Sequence, residues 1–159
     1  MEKRNGGAIE KTEKKISDLG GRFGQIIEYM VAPSTLGKFA KLGFKFTKIH
    51  QDTTLKDENY EFLTQIDITL EDGDKVLLVE VKSKPDIDDI KEHVERVEKV
   101  RSYVDKRGDK RKYLGAIAGM IFNENERNFA LKNGFYVVES SGETFKITEP
   151  KAPYTPREW

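Results

Sequence analysis

The sequence predicts an α/β domain with a mixed central sheet flanked by helices, and three observations carry that reading. Residues 62–70, 75–83 and 113–122 are apolar runs of strand length, rich in β-branched and aromatic side chains. Between the second and third run, Ile87, Ile90, Val94, Val97 and Val104 form one apolar stripe at helical spacing over residues 86–106. Asp72-Gly73, between the first and second run, is a hairpin signal. The resulting order of helix, three strands, helix, strand, helix and strands describes a sheet of mixed direction.

Taken in order, residues 8–31 read as a helix with a weak point at Gly20-Gly21 and a stop at Pro33. Phe23, Ile26, Ile27 and Met30 give it one apolar face. Ser34 is placed to cap a second, short helix running through Leu36 and Phe39 to Leu42, with Gly43 at its C′ position. Residues 44–49 read as a first strand, with aromatic and β-branched residues between lysines, and 51–60 as a polar, acidic loop or irregular edge. The run from Val76 to Val81 is apolar on both faces before Glu80, which places that strand centrally until Pro85 breaks it. Asp86, Asp88 and Asp89 stand at the positive end of the long helix, and Gly108 closes it. Gly115, Ala116, Ala118 and Gly119 mark 113–122 as a strand that a helix can approach closely. Asn123 to Glu126 has capping-box spacing for a helix ending near Asn133, with Gly134 at C′. Two short strands, 135–139 and 144–147, follow. The domain reading is a helical extension over 1–21, one domain over 22–148 and a tail over 149–159.

Composition limits the function classes. The chain is 35% charged, yet nine Phe and six Tyr supply a core for one domain of 159 residues. The absence of cysteine excludes disulfides and thiolate metal sites. No run of apolar residues is long enough to span a membrane, and the first residues lack the apolar stretch of a secretory leader, so a cytoplasmic location is expected. Twenty-eight basic and twenty-eight acidic residues cancel, but unevenly. Residues 52–80 hold nine acids against two lysines, a net of −7, and residues 91–112 hold nine bases against five acids, a net of +4. This fits a cation-dependent site acting on a polyanion, and equally the solvated faces of ordinary charged elements. Lys38, Lys41, Lys45 and Lys48 could contact phosphates but read first as such a solvated face. His50 and His93 lack ligand spacing and read as surface histidines, although His93 on the long helix could reach toward the site described below.

The hairpin supplies a geometric test of one residue set. A symmetric turn centred on Asp72-Gly73 sets Asp67 opposite Leu78 and Gln65 opposite Glu80. Because side chains alternate with period two, Asp67, Gln65, Glu80 and Lys82 then share a face, with Asp67 and Glu80 roughly 7–8 Å apart as diagonal neighbours. Two carboxylates at that separation can share one hard cation, and a lysine two residues after the glutamate reaches the same point. Phosphodiester cleavage needs this set: a cation on the phosphate that activates water, and an ammonium to orient that water or offset developing charge.

Gln65-Ile66-Asp67, twelve intervening residues and Glu80-Val81-Lys82 resemble the D…ExK core of the PD-(D/E)XK nuclease superfamily. The order of elements is similar to that superfamily's restriction-endonuclease-like αβββαβ core, over about residues 22 to 140. The stretch from Ile27 through Gly142 and the Pro-Arg-Glu-Trp ending further resemble an uncharacterised branch whose members often carry an upstream coiled coil. The resemblance implies Asp67, Glu80 and the Val81 backbone carbonyl as ligands of Mg²⁺ or Mn²⁺, and Lys82 as the catalytic lysine. It adds Glu28, on the first helix, as a further acidic ligand and Gln65 as an accessory polar residue. The implied activity is metal-dependent cleavage of nucleic acid, with DNA the expected partner. Two alternatives stand beside it. One is a catalytically silent nuclease-fold module for nucleic-acid binding or assembly; the other is a structural homodimer paired through the N-terminal helix.

Overall fold

The computed structural model describes residues 22–142 and 144–159. Every residue of β3 (Lys75–Val81) except Lys75 is buried, as a run apolar on both faces requires, and the sheet is built outward from it. The order is β1 (Lys48–Lys56), β2 (Phe62–Asp72), β3, β4 (Lys112–Gly119), β5 (Tyr136–Ser141) and β6 (Thr144–Thr148). β1–β2, β2–β3 and β5–β6 pair antiparallel, whereas β3–β4 and β4–β5 pair parallel. Helices α3 (Ile87–Asp105) and α4 (Glu124–Lys132) make the two parallel crossovers, and α1 (Arg22–Met30) and α2 (Pro33–Lys41) precede the sheet. The chain is therefore α/β, with a six-stranded mixed sheet flanked by helices. Among the described residues no helix is long and apolar enough to cross a membrane.

The sheet divides two apolar layers. Ile26, Met30 and Phe39 of α1 and α2 pack on Ile68, Leu70, Leu77, Val79, Val81, Ala116 and Val138. On the other face Ile90, Val97 and Val100 of α3 meet Val76, Leu78, Ile117 and Val137. The expected apolar face of the first helix thus covers the chain's own sheet, with Ile26 and Met30 fully buried. The rest of the helix predicted over 8–31, including Gly20-Gly21 and the proposed dimer contact, lies outside the described residues. The tail folds back: Trp159 and Tyr113 exchange backbone hydrogen bonds of 2.7 and 3.2 Å, and the Trp159 ring stacks on Phe135 at 5.6 Å. Arg127 clamps α4 to β5 with bonds of 2.8 and 2.7 Å to the Glu139 carboxylate.

Several local expectations are corrected. Residues 44–47 are not a strand: Phe44 and Phe46 stack on each other at 5.2 Å and turn their rings edgewise to Phe39 of α2, anchoring a loop. The first strand is Lys48–Lys56, through most of the expected loop. It is exposed along nearly its whole length and held by its ladder to β2, so it lacks the apolar alternation that marks half-buried strands. Helix α2 starts one residue before Ser34: Pro33 occupies N1, and Ala32 is the N-cap. Asn123 makes no side-chain capping bond. The hairpin loop is Gly73-Asp74, with Asp72 opposite Lys75 and Gly73 at φ +56°, the first-position glycine of a type II′ turn. The register therefore differs by two from the symmetric expectation. Side-chain parity is kept along the ladder from Ile68 to Asp72, but Gln65 is no longer opposite Glu80.

Candidate metal and phosphate site

β2 and β3 separate where the candidate residues lie. Their ladder ends at Ile68–Val79, while β3 continues beside β4 through Val81–Ala118. One more step of register would set Asp67 opposite Glu80. Instead the Asp67 side chain takes over the bonding: the Val81 backbone N–H donates to its Oδ2 at 2.8 Å. A rotation of β2 accompanies this. Ile66 joins the apolar layer under α3, but Ile68, two residues on, joins the layer under α1. Neighbours at i and i+2 in a regular strand share a face, so the strand twists at Asp67. The β1 ladder skips the same place, at Asp52, whose φ is +56°.

Glu80 and Lys82 emerge on the α3 side. Glu80 is 2% exposed and Asp67 3%, which is rare for carboxylates unless they are paired or coordinating. Glu80 Oε2 lies 4.0 Å from Lys82 Nζ, and Oε1 lies 3.5 Å from Nη1 of Arg96 on α3. Lys82 also meets Asp89 Oδ1 at 3.3 Å. Asp89 has a second task as the N3 partner of a capping box with Asp86, with bonds of 2.9 and 2.8 Å, so the start of α3 and the lysine are set by one residue. The Lys82 backbone is fixed from the other side, since its N–H donates to Ala118 O at 3.0 Å and Ser83 O accepts from Met120 and Ile121, each at 3.0 Å. A Cβ at Gly119 would stand 2.7 Å from Pro85 Cδ and 3.0 Å from Lys82 O, so only glycine lets this loop close on β4.

The electrostatics follow from that packing. Burial works to lower the Lys82 pKa, but Glu80 and Asp89 outweigh it and hold the ammonium above the ordinary lysine value. Glu92, on α3, is pushed above the usual glutamate value by burial first, with Lys82 opposing and Asp89 adding to the shift. Glu80, Asp89 and Glu92 stand beside Lys82 and Arg96, three acids to two bases. The donors are hard oxygens, which suit Mg²⁺ or Mn²⁺.

Two implied residues stand elsewhere. Glu28 is exposed on α1, whose packing is against the other face of the sheet. The Gln65 amide donates to Asp52 on β1. Among the described residues, no group of three or more Asp, Glu or His side chains is gathered as a metal cage. The sequence favours a surface position for His93 and does not single out Arg96. His93 is not on the surface but fully buried, its Nε2 2.9 Å from Leu78 O and its Nδ1 2.9 Å from Arg96 Nη1. The available signal was spacing: Ile90, His93, Val97 and Val100 are the buried stripe of α3, so His93 completes an apolar series. Arg96, one turn on, was lost among the alternating charges of the helix. Compared with protein-family profiles, curated proteins and solved structures, the chain matches none.

Proposed function

We propose that the chain is a metal-dependent nuclease of the PD-(D/E)XK kind, cleaving phosphodiester bonds in DNA on a restriction-endonuclease-like core formed by α1, β1–β3, α3 and β4. The observation that carries the reading is a pair of almost fully buried carboxylates, Asp67 and Glu80, where two strands part, with Lys82 4.0 Å from Glu80. Asp67, Glu80 and the Val81 carbonyl would hold Mg²⁺ or Mn²⁺, which when bound neutralises the scissile phosphate and lowers the pKa of an attacking water. Lys82, 4.0 Å from Glu80 and 3.3 Å from Asp89, is placed to orient water or to stabilise charge on the phosphate. Asp67 fixes the Val81 peptide, and Asp89 fixes the lysine.

The silent-module alternative draws on one observation, that Glu80 is already flanked by Arg96 and Lys82. One assay separates the two. Purified protein with Mn²⁺ or Mg²⁺ should nick supercoiled plasmid or degrade single strands, and Asp67→Ala and Lys82→Ala should each abolish this. Protein that binds DNA but cleaves no DNA or RNA form with either metal is the silent module.

A further inference from the structure

We propose that Arg96 is a second phosphate contact of this site, held in place by a neutral His93; this rests on the nuclease reading above. Arg96 enters from α3, an element that contributes none of the D…ExK residues. Its side chain is 13% exposed, and its Nη1 lies 2.9 Å from His93 Nδ1 and 3.5 Å from Glu80 Oε1. Its Nε is buried without a hydrogen-bond partner. A buried guanidinium donor left unmade is costly, so Arg96 carries hydrogen-bonding capacity that the fold itself does not use. Guanidinium groups hold phosphate through two parallel N–H bonds, and here the planar fork stands beside Glu80, one of the carboxylates that would hold the metal.

His93 makes this placement specific. The Leu78 carbonyl can only accept, so Nε2 carries the ring proton; Arg96 can only donate, so Nδ1 is bare. The imidazole is thus a fixed acceptor, packed against Phe135 at 5.0 Å and tied to β3 two residues before Glu80. Arg96 is anchored to the strand that carries Glu80 and runs directly into Lys82, as a group that must meet one phosphate requires. Arg96 is the substrate-binding residue and His93 its positioning residue.

The test measures binding of a fluorescently labelled DNA duplex by anisotropy in Ca²⁺, at several salt concentrations, beside calorimetry with Mn²⁺. R96Q should weaken DNA binding about tenfold and reduce the slope of log K against log salt by about one. Its Mn²⁺ affinity should not fall, because the substitution removes a positive charge 3.5 Å from a ligand carboxylate. H93L should reproduce the DNA defect, whereas H93Q, whose amide can both donate to Leu78 and accept from Arg96, should restore wild-type binding. The H93L and H93Q pair decides the matter if R96Q fails to fold. An unchanged salt slope in R96Q, or equal DNA binding by H93L and H93Q, overturns the role of Arg96 while wild-type DNA and Mn²⁺ binding keep the nuclease reading alive. Wild-type protein that binds neither Mn²⁺ nor DNA overturns both.

Discussion

Replacing Glu80 by Gln keeps the shape of the side chain and removes its charge, which isolates the electrostatic part of the site. Glu80 is 2% exposed and faces Arg96 at 3.5 Å and Lys82 at 4.0 Å. At an effective dielectric of about 20, each such pair is worth roughly 4–5 kcal/mol of Coulomb attraction. Desolvation of the carboxylate offsets much of this, and removing one partner of a buried pair costs about 3–5 kcal/mol because the other charge is left behind. Arg96 and Lys82 keep 13% and 16% of their side-chain surface in water, which places this case at the low end, about 3 kcal/mol. For a chain of this length that is a fall in Tm of roughly 6–12 °C. The assay is thermal denaturation followed by circular dichroism at neutral pH in a chelating buffer, with urea unfolding as a check that only the midpoint moves. A Glu80→Gln protein as stable as wild type, or more so, refutes the claim that Arg96 and Lys82 depend on this carboxylate.

Further outcomes are expected elsewhere. Gly119→Ala should cost about 1–3 kcal/mol and lower Tm, because its Cβ meets Pro85 and the Lys82 carbonyl; an unchanged melt would show that the loop yields freely. Arg111 holds the Asp109 carboxyl well below its ordinary value of 3.8. Its contribution to stability is therefore complete above that value and is lost as pH falls beneath it, so Asp109→Asn should flatten the loss of Tm between about pH 5 and pH 2. Equal slopes in both proteins would remove Asp109 from the acid transition. Tyr113 and Tyr136 are each pushed up to about 12, mainly by burial. An ultraviolet titration of the native protein should therefore show a late-ionising class of tyrosine that Tyr113→Phe reduces, and a single class near the ordinary value would contradict the packing.

What the sequence revealed and what it concealed follows from how each element is stabilised. β3 and α3 were legible because burial leaves a periodic record: an unbroken apolar run in the one and a 3.6-residue stripe in the other. β1 was not, since an edge strand bound by backbone hydrogen bonds leaves no pattern in its side chains. Phe44 and Phe46 misled for the complementary reason, being buried as loop anchors beneath α2 with the alternation of a strand. The turn was misplaced by one position, yet the faces from Ile68 to Asp72 survived, because a change of two in register preserves side-chain parity; Gln65, beyond the twist, did not keep its expected face. Asp67 and Glu80 were thus legible as neighbours from the hairpin alone. The twist at Asp67 and the bond from Val81 were not, since both arise from β2 parting from β3. His93 and Arg96 were hidden in a helix whose charges alternate along its length, and only the packing of α3 on β3 brings them to Glu80.

Calorimetric titration of the metal-free protein with Mn²⁺ tests the central claim, that Asp67 and Glu80 form a hard-cation site, most directly. The account predicts one saturable binding event in the wild type, lost in Asp67→Ala and in Glu80→Gln when both remain folded. Wild-type protein that takes up no Mn²⁺, or a folded Glu80→Gln variant that binds it unchanged, would contradict it.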